Sequence, residues 1–429
     1  MKKILSLLLA ALLVVSLFAA CGAPKEEAPA KITSVSAYDS GDDFTELTNK
    51  LTWEAVNAFP VKSSDMSLDD ARQLCIDFFR FCKTAQWIPD DNWDFTHHDN
   101  GDGPDTLNAG AVYGGLPYVG LASGAIYRVF DYMDPDTGVV NIQAAGQYQK
   151  AFGNQCANGA YQGWSRVINS SKYSGTPKMT KVNGFFPVGD YTYENMEILT
   201  GWSDGYGTDE VCKANGQEVM YEAYAKMVKG DGFVNYTTAG HVVMLATDPV
   251  VERTAEGKID PAKSYVTVLD QTPKWKVGTN EQGQTYEYQC NVDEKWTFMT
   301  LFNGNYLPFT YAEWLGTNPI EETEITYAIK DEATTLEKLT KTKVTCNYHI
   351  YDVYLEVYDK WGSQVLKIAA RNHGSSHYET RMSLVPSEYN VVWGNPENLK
   401  AGGEYTAKVY AQLGTGERPT LWEGKLIVE

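Results

Sequence analysis

Phe152-Gly-Asn-Gln155-Cys156-Ala-Asn-Gly-Ala160-Tyr-Gln-Gly-Trp164-Ser-Arg-Val-Ile168 is followed further along the chain by Lys229-Gly-Asp231-Gly-Phe-Val-Asn-Tyr236-Thr-Thr-Ala-Gly240-His241-Val-Val-Met-Leu245. In the first stretch Ala157, Ala160, Trp164, Val167 and Ile168 share one face of a helix, which puts Cys156 in its first turn. Unpaired N–H groups and the helix dipole favour an anion there, so a thiolate becomes available as a nucleophile. Gly159 and Gly163 each weaken this helix by about 1 kcal/mol relative to Ala, a cost that close approach of a strand or substrate would justify. In the second stretch Phe233 to Tyr236 and His241 to Ala246 read as two strands joined by a short loop, with the histidine opening the second. A further strand, Tyr265 to Leu269, is expected to end in Asp270-Gln271-Thr272.

Cysteine, histidine and carboxylate occur here in an order that chemistry uses. A positioned imidazole takes the thiol proton, stabilises the thiolate and later protonates a leaving amine. A carboxylate or amide at residue 270 or 271 accepts the other ring N–H and fixes the tautomer. Each residue alone has an ordinary reading: Cys156 as core filling, His241 as a hydrogen-bonded strand residue, Asp270 as a turn former before Gln-Thr-Pro. The combination is what favours nucleophilic chemistry.

Gly153-Asn-Gln155-Cys156 before a helix, Lys229-Gly-Asp231 leading to Gly240-His241-Val-Val-Met-Leu, and Val266-Thr-Val-Leu-Asp270-Gln271 together resemble the CHAP family of papain-like cysteine amidases and peptidases. The likeness to the NlpC cell-wall hydrolases is more distant, and Tyr113-Gly-Gly-Leu-Pro-Tyr118 resembles the stretch before the nucleophile in that family. The resemblance implies Cys156 as nucleophile, His241 as general base and acid, and Asp270 as the orienting residue, with Gln271 as the alternative. It also implies an oxyanion hole begun by the Cys156 N–H, with Tyr118 and Gln149 as candidate side-chain donors. The gaps of 38 residues from Tyr118 to Cys156 and 85 from Cys156 to His241 exceed those of a minimal family domain. The implied fold is an α+β papain-like domain over residues 36–319.

Outward from this region the chain changes character. Lys2 and Lys3 precede an apolar run from Ile4 to Ala20 that ends in Ala19-Ala20-Cys21-Gly22, a pattern that resembles the bacterial lipoprotein signal with Cys21 as the lipidated residue. Residues 22–35 read as a flexible tether, so an extracytoplasmic, lipid-anchored protein at the bacterial cell surface is expected. Ser67 to Lys83 carries apolar residues at three- and four-residue steps and reads as a capped amphipathic helix. Its Cys75 and Cys82 lie seven apart, about 10 Å along a helix, too far for a disulfide. Asp99-Asn-Gly-Asp-Gly103-Pro-Asp105 lacks EF-hand spacing and reads as a solvated acidic loop, as does His97-His98; no metal or cofactor is called for.

From about Ile320 short alternating strands take over: Val344 to Ile350, Val353 to Val357, Val365 to Ala369, Tyr405 to Ala411 and Leu421 to Val428, with a turn at Asp359-Lys-Trp-Gly362. About seven strands suggest an immunoglobulin-like sandwich over residues 320–429. Across all 429 residues, 55 acidic against 36 basic side chains give a net charge of −19, which repels phosphate backbones and excludes nucleic acid as an expected partner. For a surface-anchored amidase the available amide polymer is peptidoglycan, so its peptide stems or the sugar-to-peptide amide are the expected substrate. The competing expectation is a catalytically inactive surface lipoprotein that binds or adheres.

Overall fold

Two helices open the described chain, each started by the residue type that satisfies free backbone N–H groups. Thr52 caps α1 (Trp53–Asn57) and Ser67 caps α2 (Leu68–Thr84), whose Asp70 N–H lies 3.1 Å from the Ser67 hydroxyl. The apolar spacing of α2 becomes its buried face: Ala71, Leu74, Cys75, Phe78, Phe79 and Cys82 are all sealed in the core. The computed structural model describes residues 47–95, 105–119, 124–146, 152–169, 185–192, 207–236, 240–280, 282–371, 381–384 and 391–429. Cys21 and the tether, His97 and His98, most of the acidic loop and Gln149 lie outside the described residues.

The strands that follow are β1 (Gln86–Pro89), β2 (Trp93–Phe95), β3 (Asp105–Leu107), β4 (Tyr113–Gly114), β5 (Val139–Val140) and β6 (Phe185–Pro187). Then come β7 (Gly232–Tyr236), β8 (Gly240–Leu245), β9 (Tyr265–Thr279), β10 (Thr285–Thr297) and β11 (Leu307–Tyr311). Interspersed helices are α3 (Ile142–Gly146), α4 (Cys156–Trp164), α5 (Thr208–Ala225) and α6 (Phe298–Asn303). Nine strands form one sheet in the order β5-β1-β4-β10-β9-β8-β7-β11-β6, while β2 and β3 pair separately.

One expectation is corrected here. The strand read as ending at Leu269 runs on to Thr279, so Asp270 and Gln271 lie inside β9 and are not turn residues. Leu269, Asp270 and Gln271 face Val292, Asn291 and Cys290 of β10, after which Thr272 to Trp275 oppose Gln289 alone before pairing resumes at Lys276. That bulge absorbs Pro273, which has no N–H to give a ladder. Proline thus bends this strand without ending it.

α4 packs on α2 and on the middle of the sheet, and its two glycines permit this. A Cβ at Gly159 would stand 2.9 Å from Gln271 Cβ, and one at Gly163 would stand 2.7 Å from both Cys75 O and Phe79 Cβ. Both glycines therefore serve close packing against neighbouring elements.

The C-terminal part has its own core. Its elements are β12 (Ile325–Tyr327), β13 (Ala333–Thr335), α7 (Leu336–Lys341), β14 (Lys343–Cys346), β15 (Ile350–Asp359), β16 (Gln364–Arg371), β17 (Arg381–Ser383), β18 (Val391–Gly394), β19 (Tyr405–Leu413) and β20 (Thr420–Ile427). They form sheets β12-β14-β17 and β13-β20-β19-β15-β16-β18, and Val344, Leu355, Ile368, Val409 and Leu426 belong to one cluster drawn from both. The alternation read from Val344 to Ile350 is interrupted between β14 and β15, where Asn347 bonds the backbone of Glu322 and Glu324. The β15–β16 turn forms as expected, with Gly362 at φ 79°.

The two parts meet through buried ion pairs within one unit, Ser34–Glu429. Arg128 reaches Asp352 at 2.8 Å, and Asp131 takes both Lys367 and Arg371. Ser165, just beyond α4, hydrogen-bonds Tyr351 at 3.1 Å. The result is an α+β protein with several sheets and few helices.

Candidate active site

α4, β8 and β9 are neighbours in this arrangement, and their chemistry-bearing residues converge. Asp231 prepares the geometry one strand away. Buried, it accepts from Arg72 of α2 at 2.8 Å, Thr310 Oγ1 at 2.6 Å and Val228 N at 2.9 Å, so the entry to β7 is tied to the helix beneath. β8 pairs with β7 across Asn235–His241 and with β9 across Met244–Leu269. His241 thereby comes beside Asp270, and α4 presents Cys156 from above the same strands.

His241 Nε2 lies 2.8 Å from Asp270 Oδ2. The carboxylate is 1% exposed, whereas the imidazole is 24% exposed, so a solvent path reaches the ring. Asp270 is held by two further donors from Asn291: the backbone N–H to Oδ1 at 2.9 Å and Nδ2 to Oδ2 at 3.0 Å. With Nε2 engaged by Asp270, Cys156 acts on the imidazole as a second side-chain hydrogen-bond partner. Cys156 is 5% exposed, and its Sγ lies 3.6 Å from Gly240 O.

Burial alone would discharge the imidazole. Tyr306, the hydrogen bond to Asp270 and the neighbouring Cys156 outweigh it, and His241 is held well above its ordinary value. The arrangement can therefore keep a proton on the ring beside the sulfur at a helix N-terminus, where negative charge is favoured. Burial pushes the thiols of Cys82, Cys212 and Cys290 up to about 12, and those of Cys75 and Cys346 upward as well. All six described cysteines are free.

Gln271, the alternative orienter, packs beneath Gly159 of α4 and is engaged elsewhere. Its Nε2 donates to Leu116 O at 3.1 Å and Gln289 O at 2.8 Å, and its Oε1 accepts from the buried ammonium of Lys83. Of the two, Asp270 is the one bonded to His241. Tyr118 is buried, its backbone bridges Asn154 two residues before Cys156, and its N–H donates to Gln289 Oε1 at 2.7 Å. The chain at Tyr118 thus runs beside the segment that leads into Cys156.

Three residues beside the site escaped the reading of the sequence. Asn291 occupies a strand position whose partner depends on the β9 bulge, so no local signal marks it. Tyr306 and Lys83 arrive from elements that carry no motif. Among the described residues no cluster of three His, Cys, Asp or Glu could hold a metal, and no helix is long and apolar enough to cross a membrane. No protein-family model matches the chain, and no curated protein is significantly similar to it.

Proposed function

We propose that this chain is a papain-like cysteine amidase or peptidase of the CHAP/NlpC type, borne on a lipid-anchored extracytoplasmic protein. One observation carries the reading: Cys156 at the start of a helix lies 3.6 Å from Gly240 O, next to an imidazole whose Nε2 is held by a buried carboxylate. The antiparallel strands bearing His241 and Asp270 under α4 support the papain-like fold, and two C-terminal sheets around one core support the sandwich.

In the proposed reaction the Cys156 thiolate attacks an amide carbonyl and forms a C–S bond, and the oxyanion is met by backbone N–H groups at the α4 N-terminus. The tetrahedral adduct collapses, the C–N bond breaks, and the imidazolium gives its proton to the leaving amine. Water, deprotonated by the now neutral ring, cleaves the thioester and releases a carboxylate and the free thiol. Asp270 keeps Nε2 protonated throughout, so Nδ1 is the nitrogen that exchanges the proton. The signal-like N-terminus and the family resemblance name peptidoglycan peptide stems as substrate.

Digestion of purified cell wall with wild type and with Cys156→Ser, followed by mass analysis of soluble fragments, tests this. Wild-type products absent from the variant support hydrolysis and identify the bond. Identical profiles would instead favour an inactive surface-binding protein.

A further inference from the structure

Tyr306 stands against His241 on a mount that leaves it little freedom. Asn305 before it adopts φ 56°, a left-handed conformation that asparagine tolerates, and the turn brings Tyr306 N to Leu301 O at 3.0 Å. Tyr224 OH donates to Tyr306 O at 2.8 Å. The ring folds over Gly304, where a Cβ would stand 2.8 Å from Tyr306 Cε2. Trp296 backs it with ring centroids 5.3 Å apart, and Phe233 with 6.4 Å. The imidazole meets this ring at 6.2 Å with the planes at 72°.

We propose that Tyr306 is a positioning residue for the chemistry at Cys156, its ring holding His241 protonated and facing the sulfur between steps. The inference rests on the hydrolase reading above. The two rings meet in an edge arrangement, which favours imidazolium when the imidazole edge lies on the electron-rich Tyr306 face. Burial holds the Tyr306 phenol above its ordinary value, so near neutral pH the phenol is uncharged and what His241 meets is the ring itself. The other titratable groups facing His241 are Asp270 from β9 and Cys156 from α4. Asp270 supplies the anionic hydrogen bond, Cys156 the exchanging proton, and Tyr306 an uncharged wall that cannot itself take the proton.

The test is the rate at which iodoacetate alkylates Cys156 in the full chain across pH, read on the peptide that contains this residue. Sulfur displaces iodide and forms a C–S bond, and the anionic reagent is drawn by the imidazolium, so the rate falls as the ring loses its proton. Tyr306→Leu should move the midpoint of that falling limb down by about half a pH unit, roughly a threefold change in the imidazolium-to-imidazole ratio. Tyr306→Phe, which keeps the ring, should stay close to wild type. Should the Leu variant not fold, Tyr306→Met fills the same space with a flexible apolar chain and is read in the same way. An unmoved limb in the Leu or Met variant would overturn this inference alone. So would a Phe variant that behaves like Leu, since the role would then lie in the hydroxyl. A wild type with no falling limb and no preference for Cys156 would overturn the hydrolase reading and this inference with it.

Discussion

Replacing Asp270 by Asn exchanges one oxygen for an NH2 group and leaves shape almost unchanged, so its effects are those of charge and hydrogen-bond polarity. The native carboxylate accepts three N–H bonds: His241 Nε2 at 2.8 Å and Asn291 Nδ2 at 3.0 Å on Oδ2, and Asn291 N at 2.9 Å on Oδ1. An amide has one oxygen. Placed at the Oδ2 position, that oxygen keeps two bonds and turns its NH2 group against the Asn291 backbone N–H; flipped, it confronts His241 and the Asn291 side chain. Either way a buried donor loses its acceptor, which costs about 1–3 kcal/mol of stability. The ring also exchanges a charge-assisted bond of about 1.5–3 kcal/mol for an ordinary one of about 1, a difference of about 0.5–2 kcal/mol, or roughly one pKa unit. In the iodoacetate assay the falling limb of Asp270→Asn should therefore drop by about one pH unit, twice the shift expected for Tyr306→Leu. Urea unfolding should report the loss of stability independently. A variant with the wild-type limb and midpoint would refute the view that this carboxylate holds the proton on His241.

Stability should also depend on pH through His241. Its folded value lies well above 6.5, so the stabilisation is fully present below pH 6.5 and is lost as pH rises through the folded value. Urea midpoints from pH 6 to 9 should thus fall more steeply for wild type than for His241→Gln, and parallel slopes would contradict the assignment. Gly163→Ala gains about 1 kcal/mol of helix propensity but drives a Cβ to 2.7 Å from Cys75 O and Phe79 Cβ. Overpacking of about 1–3 kcal/mol should win, giving a less stable protein by thermal melting, while an equal or raised Tm would show that α4 can shift. Asp352→Ala removes the carboxylate from the buried Arg128 guanidinium that joins the two cores and should cost about 3–5 kcal/mol. Cys75 and Cys346, one in each core, should then become thiol-reactive together during denaturation, and separate transitions would show that the two parts unfold independently.

Much of the local structure near the site could be read along the chain because it depends on near neighbours. Ser67 and the spacing from Ala71 to Cys82 specify α2, and the face from Ala157 to Trp164 specifies α4 with Cys156 at its start. The alternation after Gly240 specifies β8. Pro273 misled in the other direction: proline and Thr272 look like a strand's end, but the partner β10 supplies a bulge that carries the strand past them. The same dependence hid Asn291, whose register opposite Asp270 exists only once β9 and β10 pair.

By itself the order of residues determined which side chains are candidates for reactive chemistry, which elements hold them and that Cys156 opens a helix. Short-range periodicity and capping depend on residues within a turn or two, so one segment suffices to read them. Only tertiary structure decided that Asp270 and not Gln271 meets His241, that Lys83 is buried against Gln271, and that Tyr306 closes on the imidazole. Those outcomes follow from how β9 pairs with its neighbours and from how a distant turn packs, and both are set by contacts between segments far apart in the chain.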